Sequence, residues 1–333
     1  MYALLNSEQL ALQETVEALA TAVGITNPVD LEDRDPAHAW VQLEQMGLLE
    51  LRRRDGAAPI AGGVEVMVVA QALAWGLVPV PYVPSAVLAT ELLSLAKVSD
   101  DRVGGLLLRP DLTGLADSDG WSDALIWGGP GTSSVLALDD GARLVRHTLS
   151  QPLSGNRSVD LTQGLWDTVP GAREELGEPI PGERLDAWLA LALSTISADM
   201  VGIMRRALHG AIAYSKERIA YGQPVGSFQA IQHLAAETHV TIEAAYSTVC
   251  YAAWCVDETD PAEALLAART AKAYCASVAR TATENVMQIY GGVGQTWEHP
   301  AHFYTRRALL GTLLFGDENA QLAEIARTRL GGS

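Results

Sequence analysis

The stretch Arg218-Ile219-Ala220-Tyr221-Gly222-Gln223-Pro224, followed by Phe228-Gln229, lies where two long segments of helical periodicity meet, residues 186–221 and 229–256. A third such segment runs over 261–290 and a last one over 308–330. Four long helices with short connections predict a bundle occupying residues 183–333.

Upstream the texture changes. Between 104 and 182, short apolar runs alternate with turn residues, as in Leu125-Ile126-Trp127, Gly128-Gly129-Pro130-Gly131, Val135-Leu136-Ala137-Leu138 and Asp139-Asp140-Gly141. That pattern predicts a small β domain, with 156–162 as one of its later strands and 177–182 as the linker out. Residues 1–103 read as helical again. Ser7 is placed to cap a first helix bearing Leu10, Leu12, Val16, Leu19 and Ala20. Pro36 starts a second with Trp40, Leu43, Met46 and Leu49 as its apolar stripe and Gly47 near its end. Helices over 64–75, closed by Gly76, and over 83–95 follow. The expected fold is mainly α with a small central β domain.

The 333 residues, 48% apolar, suffice for a large core divided into two or three domains. A formal charge of -17 argues against nucleic-acid and anionic-membrane partners, which the net field would repel. The first Lys or Arg is Arg34, so no positive region precedes an apolar leader, and a cytoplasmic location is expected. The apolar run 187–193 is too short to cross a bilayer, and 78–89 is broken by Pro79, Pro81 and Pro84, so no membrane span is predicted. Cys250, Cys255 and Cys275 lack CxxC spacing and read as buried thiols.

The 218–229 stretch resembles the signature of the acyl-CoA dehydrogenase family, in which Arg, an aromatic-Gly pair and Phe-Gln recur at this spacing. A second block, Gln288-Ile289-Tyr290-Gly291-Gly292-Val293-Gly294 and then Trp297-Glu298-His299-Pro300-Ala301-His302 to Arg306-Arg307, is similar to the same family's glycine-rich segment. Residues 40–51 and Ala74-Trp75-Gly76 with Pro79 and Pro81 resemble its actinobacterial branch, which acts on sterol-derived thioesters. The resemblance implies an N-terminal helical domain, a β-barrel-like middle domain and a C-terminal four-helix bundle. It also implies FAD as cofactor, with Arg218, Tyr221, Gly222, Phe228, Gln288, Gly291, Gly292 and Gly294 reaching the ADP half of a flavin held by a neighbouring subunit. A guanidinium forks onto pyrophosphate, aromatic rings pack on a flat cofactor, and glycines let backbone come close.

The family removes an α proton with a carboxylate while hydride leaves the β carbon for flavin. Counting from Arg306, Phe315 stands where one family carboxylate belongs, and counting back from Arg218, Ala192 stands where the other does. No catalytic residue is therefore assigned. The family's Thr-Ser-x-Ile-Gln stretch is replaced by Asp317-Glu318-Asn319-Ala320-Gln321, and the β domain lacks its Thr-Glu-Pro and Trp-Ile-Thr segments. The implied role resembles that of the shorter subunit of a heteromeric, α2β2, steroid-CoA type dehydrogenase. Its catalytic partner would bind most of the acyl-CoA. Two alternatives stay open: a homomeric dehydrogenase with a relocated base, with Asp199, Glu237 and Asp317 as the acids to weigh, and a cofactor-free structural or regulatory binding protein.

Three further features read as structural. Glu298, His299 and His302 are close in sequence, but the two histidines flank Pro300 in an expected loop with no further ligand evident, so packing rather than coordination is expected. Arg52-Arg53-Arg54 reads as a solvated basic loop. Most of the eight tryptophans, including Trp40, Trp75, Trp188 and Trp254, fall in apolar helical patterns as core anchors, whereas Trp297, beside Gly294, is a candidate contact at a cofactor or subunit interface.

Overall fold

Asn6 opens the first helix. Its Oδ1 accepts from the Gln9 N–H at 2.8 Å while the Gln9 side chain accepts from the Asn6 N–H at 3.0 Å. This reciprocal cap moves the start one residue ahead of the expected Ser7. The computed structural model describes residues 5–33, 35–56, 58–99, 104–117, 124–151, 153, 158–167 and 171–331.

The N-terminal unit holds α1 (Ser7–Val23), α2 (Asp30–Asp33), α3 (Pro36–Gln45), a hairpin of β1 (Arg54–Asp55) and β2 (Ala58–Pro59), and α4 (Gly63–Trp75). A π-helix, Tyr82–Ala89, then runs into α5 (Thr90–Leu95). Asp35 caps α3, and Pro36 sits where its missing N–H is not needed. Pro84 is tolerated for the same reason, since it falls in the first wide turn of the π-helix. α4 is buried on nearly every side and so forms the axis of this unit.

The middle unit is one sheet of β3 (Gly105–Leu108), β4 (Leu125–Gly128), β5 (Ser134–Leu138), β6 (Leu144–Thr148), β7 (Gly164–Asp167) and β8 (Arg173–Leu176), ordered β7-β4-β3-β5-β6-β8. Among the described strands, β3 pairs with β5 in parallel and the other neighbours pair antiparallel. Side chains alternate between faces: Leu106, Leu108, Trp127 and Leu136 join the helical core, while Leu107, Ile126, Val135 and Ala137 form a second, smaller one. The strand expected over 156–162 is a correction. Residues 156 and 157 lie outside the described residues, and 158–162 is bent, with the strand at Gly164–Asp167. Asp160 N–H donates to Ser158 Oγ at 3.1 Å, and Thr162 N–H to Asp160 Oδ1 at 2.8 Å, so local side-chain turns outcompete a ladder.

The C-terminal unit contains α6 (Gly182–Glu217), a two-residue-strand hairpin of β9 (Ile219–Ala220) and β10 (Gln223–Pro224), α7 (Gln229–Glu258), α8 (Pro261–Tyr290), α9 (Ala301–Leu313) and α10 (Glu318–Leu330). α6 has the length and apolarity of a membrane span, but 89% of its apolar window is buried inside the fold. Alanines and Cys275 on α8 give it a smooth face against its neighbours, and Cys255 is likewise buried as a free thiol.

The last expected helix, 308–330, is instead two. Phe315 and Gly316 have φ of 59° and 93°, and Asp317 Oδ1 accepts from the Ala320 N–H at 2.9 Å to start α10 afresh. Buried Lys272 fixes this break by donating to the carbonyls of Thr312 and Gly316 at 2.9 and 2.8 Å. Burial lowers its pKa to about 8. The Arg52-Arg53-Arg54 loop is also corrected. Arg52 is buried and bonded to Glu91 and Asp257, Arg54 pairs with Glu91, and only Arg53 is solvated. Asp257 also accepts from Gly63 N–H, so this cluster ties the N-terminus of α4 to the end of α7.

Candidate functional site

Arg218 is the residue on which α6 ends. Its backbone carbonyl accepts from Val225 N–H at 2.8 Å, closing the loop, while its guanidinium is exposed and forms no ion pair among the described residues. The β9–β10 hairpin turns at Tyr221 and Gly222, whose φ values of 53° and 79° are both left-handed, as a two-residue primed turn requires. That geometry holds Tyr221 out at 96% exposure, with its ring edge-on to Phe228 at 6.3 Å.

The second block sits at the same end of the bundle. Gln288 is exposed in the last turn of α8, and Gly291, with φ 64°, breaks the helix into a 3-10 turn, Gly291–Gln295. Tyr290 packs on Tyr214 of α6 at 5.2 Å between ring centroids, one turn before Arg218, which brings the two blocks together. The glycines differ in what demands them. A Cβ on Gly294 would lie 2.8 Å from the Cβ of Tyr290, whereas one on Gly292 would meet open space within 4 Å. The fold itself makes no demand for a glycine at 292.

His299 folds back edge-on to Tyr290 at 4.3 Å, and Trp297, 58% exposed, stacks on His302 at 4.9 Å. Burial holds both histidines below the ordinary imidazole range. No cluster of metal-ligating groups occurs among the described residues. Trp297 is thus a surface ring, unlike Trp127 and Trp188, which are buried.

The positions read against the family's carboxylates are closed. Phe315 is 4% exposed, edge-on to Trp188 at 5.7 Å and 6.4 Å from the Trp127 ring, and its N–H donates to the Leu112 carbonyl at 2.7 Å. Ala192 is fully buried on α6. Neither offers an atom that takes a proton. Of the acids weighed as substitutes, Glu237 is exposed on α7 and Asp317 is the exposed cap of α10. Asp199 is buried, and both of its oxygens are held by Arg307, at 3.0 Å from Nε and 2.5 Å from Nη2. Burial works against the Arg307 charge, but the Asp199 and Asp160 carboxylates hold its pKa above the usual value. Burial pushes the Asp160 carboxyl up to about 6, against the pull of Arg307.

The pairing of Arg307 with Asp199 and the packing of Tyr290 on Tyr214 were not expected from sequence, although each of Arg307, Asp199 and Tyr290 was quoted there. A signal existed for the first: Arg307 follows buried Phe303 by four residues and precedes buried Gly311 by four, so helical periodicity alone turns it inward.

A family model described as acyl-CoA dehydrogenase, C-terminal domain, matches residues 191–330. Over 261 residues the chain is 31% identical to the acyl-CoA dehydrogenase IpdE2 of Mycobacterium tuberculosis, covering 74% of this chain and 73% of that one. It is 28% identical to the acyl-CoA dehydrogenase FadE34 of the same organism over 92% of this chain, and spans 46% of that protein's length. In the ChsE4-ChsE5 complex from Mycobacterium tuberculosis a chain superposes with a TM-score of 0.79 at 22% identity, covering 100% of both, which shows a shared fold. With helical, sheet and bundle units in that order and relatives matched across most of its length, the chain belongs to the acyl-CoA dehydrogenase family.

Proposed function

We propose that this chain is the non-catalytic subunit of a heteromeric, α2β2, FAD-dependent acyl-CoA dehydrogenase. It contributes Arg218, Tyr221, Gly222, Phe228, Gln288, Gly291, Gly292 and Gly294 to the ADP half of a flavin shared with a catalytic partner. The carrying observation is the contrast in one molecule between an exposed Arg218 without an ion pair among the described residues and a buried Phe315 and Ala192 where a base is needed. Gly292 supports the fit, because its missing side chain leaves backbone open to an approaching group although the fold does not require it.

FAD, when bound, takes hydride from the substrate's β carbon. Arg218 would neutralise pyrophosphate charge, Gln288 would hydrogen-bond polar edges, and the partner would supply the carboxylate that removes the α proton. The heteromeric reading is supported by the likeness to the ChsE4-ChsE5 complex. A bulky thioester such as a steroid side-chain CoA ester is the proposed substrate, on the likeness of residues 40–51 and 74–81 to sterol-acting relatives.

Co-expression with a longer family member that keeps its carboxylate should yield a yellow complex active on acyl-CoA. Arg218→Ala should strip FAD from that complex while leaving its circular dichroism unchanged. Stoichiometric FAD binding and acyl-CoA oxidation by this chain alone would refute the reading.

A further inference from the structure

We propose that a cavity of about 170 Å³ at the junction of the three units is a binding site for a small neutral carbonyl compound, about one ring in size. This site is separate from the exposed end of the bundle and does not depend on the subunit role. Leu73 and Val80 wall it from the N-terminal unit, Trp127 and Trp166 from the sheet, and Asp199 and Arg307 from the bundle. A cavity of roughly 150 Å³ lined by apolar side chains admits a benzene ring, so the space suits a single six-membered ring.

The polar corner selects the class. Arg307 carries five N–H groups; Nε and Nη2 bond to Asp199, and Nη1 donates to Thr162 Oγ1 at 3.2 Å. With its amide oxygen turned toward the guanidinium, Gln163 accepts from Nε and Nη2 at 3.1 and 3.2 Å. Nη1 has a second N–H, which an acceptor on a ligand can take. A carboxylate ligand would add a negative charge to a buried corner where Asp199 and Asp160 already face one guanidinium. A neutral carbonyl gains the hydrogen bond without that repulsion.

The test titrates the full chain with cyclohexanone, methylcyclohexane and cyclohexanecarboxylate by ligand-observed NMR. Saturable cyclohexanone binding is expected, with methylcyclohexane about tenfold weaker and no carboxylate binding. Ala70→Leu, which fills the cavity, should abolish both. Replacing the ion pair by Asp199→Leu with Arg307→Met should keep the hydrocarbon and remove the preference for the ketone. Equal binding of ketone and hydrocarbon, tighter binding of the carboxylate, no saturable binding of any probe, or an Ala70→Leu chain that binds like the original would each overturn the proposal. Should Ala70→Leu fail to fold, the three-ligand series on the unaltered chain decides.

Discussion

Arg218 and Arg307 are both at helix positions in the same bundle, yet one guanidinium is exposed without an ion pair among the described residues and the other is buried in a carboxylate's grip. At the same end of the bundle as Arg218, Tyr221, Gln288 and Gly292 are exposed, while Gly294 is buried against Tyr290. Around Arg307 lie Asp199, Asp160 and Thr162, and one aromatic layer away Phe315 is packed on Trp127 and Trp188. The difference teaches where this molecule has interaction capacity left over. Its centre pairs its buried charges within the chain and leaves one Arg307 N–H beside a cavity, while its outer end presents an Arg218 guanidinium with no ion pair among the described residues.

This contrast can be broken by measurement. Arg307→Ala leaves Asp199 buried without its partner, and should cost about 4 kcal/mol in urea unfolding. A loss under about 1 kcal/mol would mean that the centre is not closed. Phe315→Ala should cost about 3 kcal/mol by the same assay, from lost burial and the cavity left behind. Asp160 sharpens the comparison through pH. Its folded carboxyl titrates near 6, above the ordinary 3.8, so its contribution is complete below pH 3.8 and disappears as pH rises through 6. Asp160→Asn lacks that dependence, so its stability relative to the original should improve from pH 4 to pH 7, on the order of 2 kcal/mol. Arg218→Ala is at the other extreme and should leave unfolding within about 0.5 kcal/mol of the original.

The helical units were legible because periodicity, prolines and caps agreed. α8 has the predicted limits, set by Asp260 and Pro261 at one end and Gly291 at the other. Boundaries failed where side chains bonded locally, as at Asn6 and over 158–162, or where the chain took left-handed φ, as at Phe315 and Gly316. Of the candidate site, the 218–229 block was singled out through its likeness to the family signature, and it lies on an exposed hairpin at the end of α6. The Arg307–Asp199 pair was harder, since 108 residues separate the partners and charge alone does not report burial. Arg52 misled for the same reason: its partners Glu91 and Asp257 come from distant elements.

α6 carries Ala192 and Asp199 near its middle and ends on Arg218. At 1.5 Å per residue, Asp199 and Arg218 stand about 28 Å apart on one unbroken rod. Its inner half is clamped on all sides, so the outer tip is a fixed peg rather than a loose arm. A subunit docking there would find the Arg218 backbone already positioned, so docking free energy would be lost to ordering the exposed side chain and not the helix that carries it.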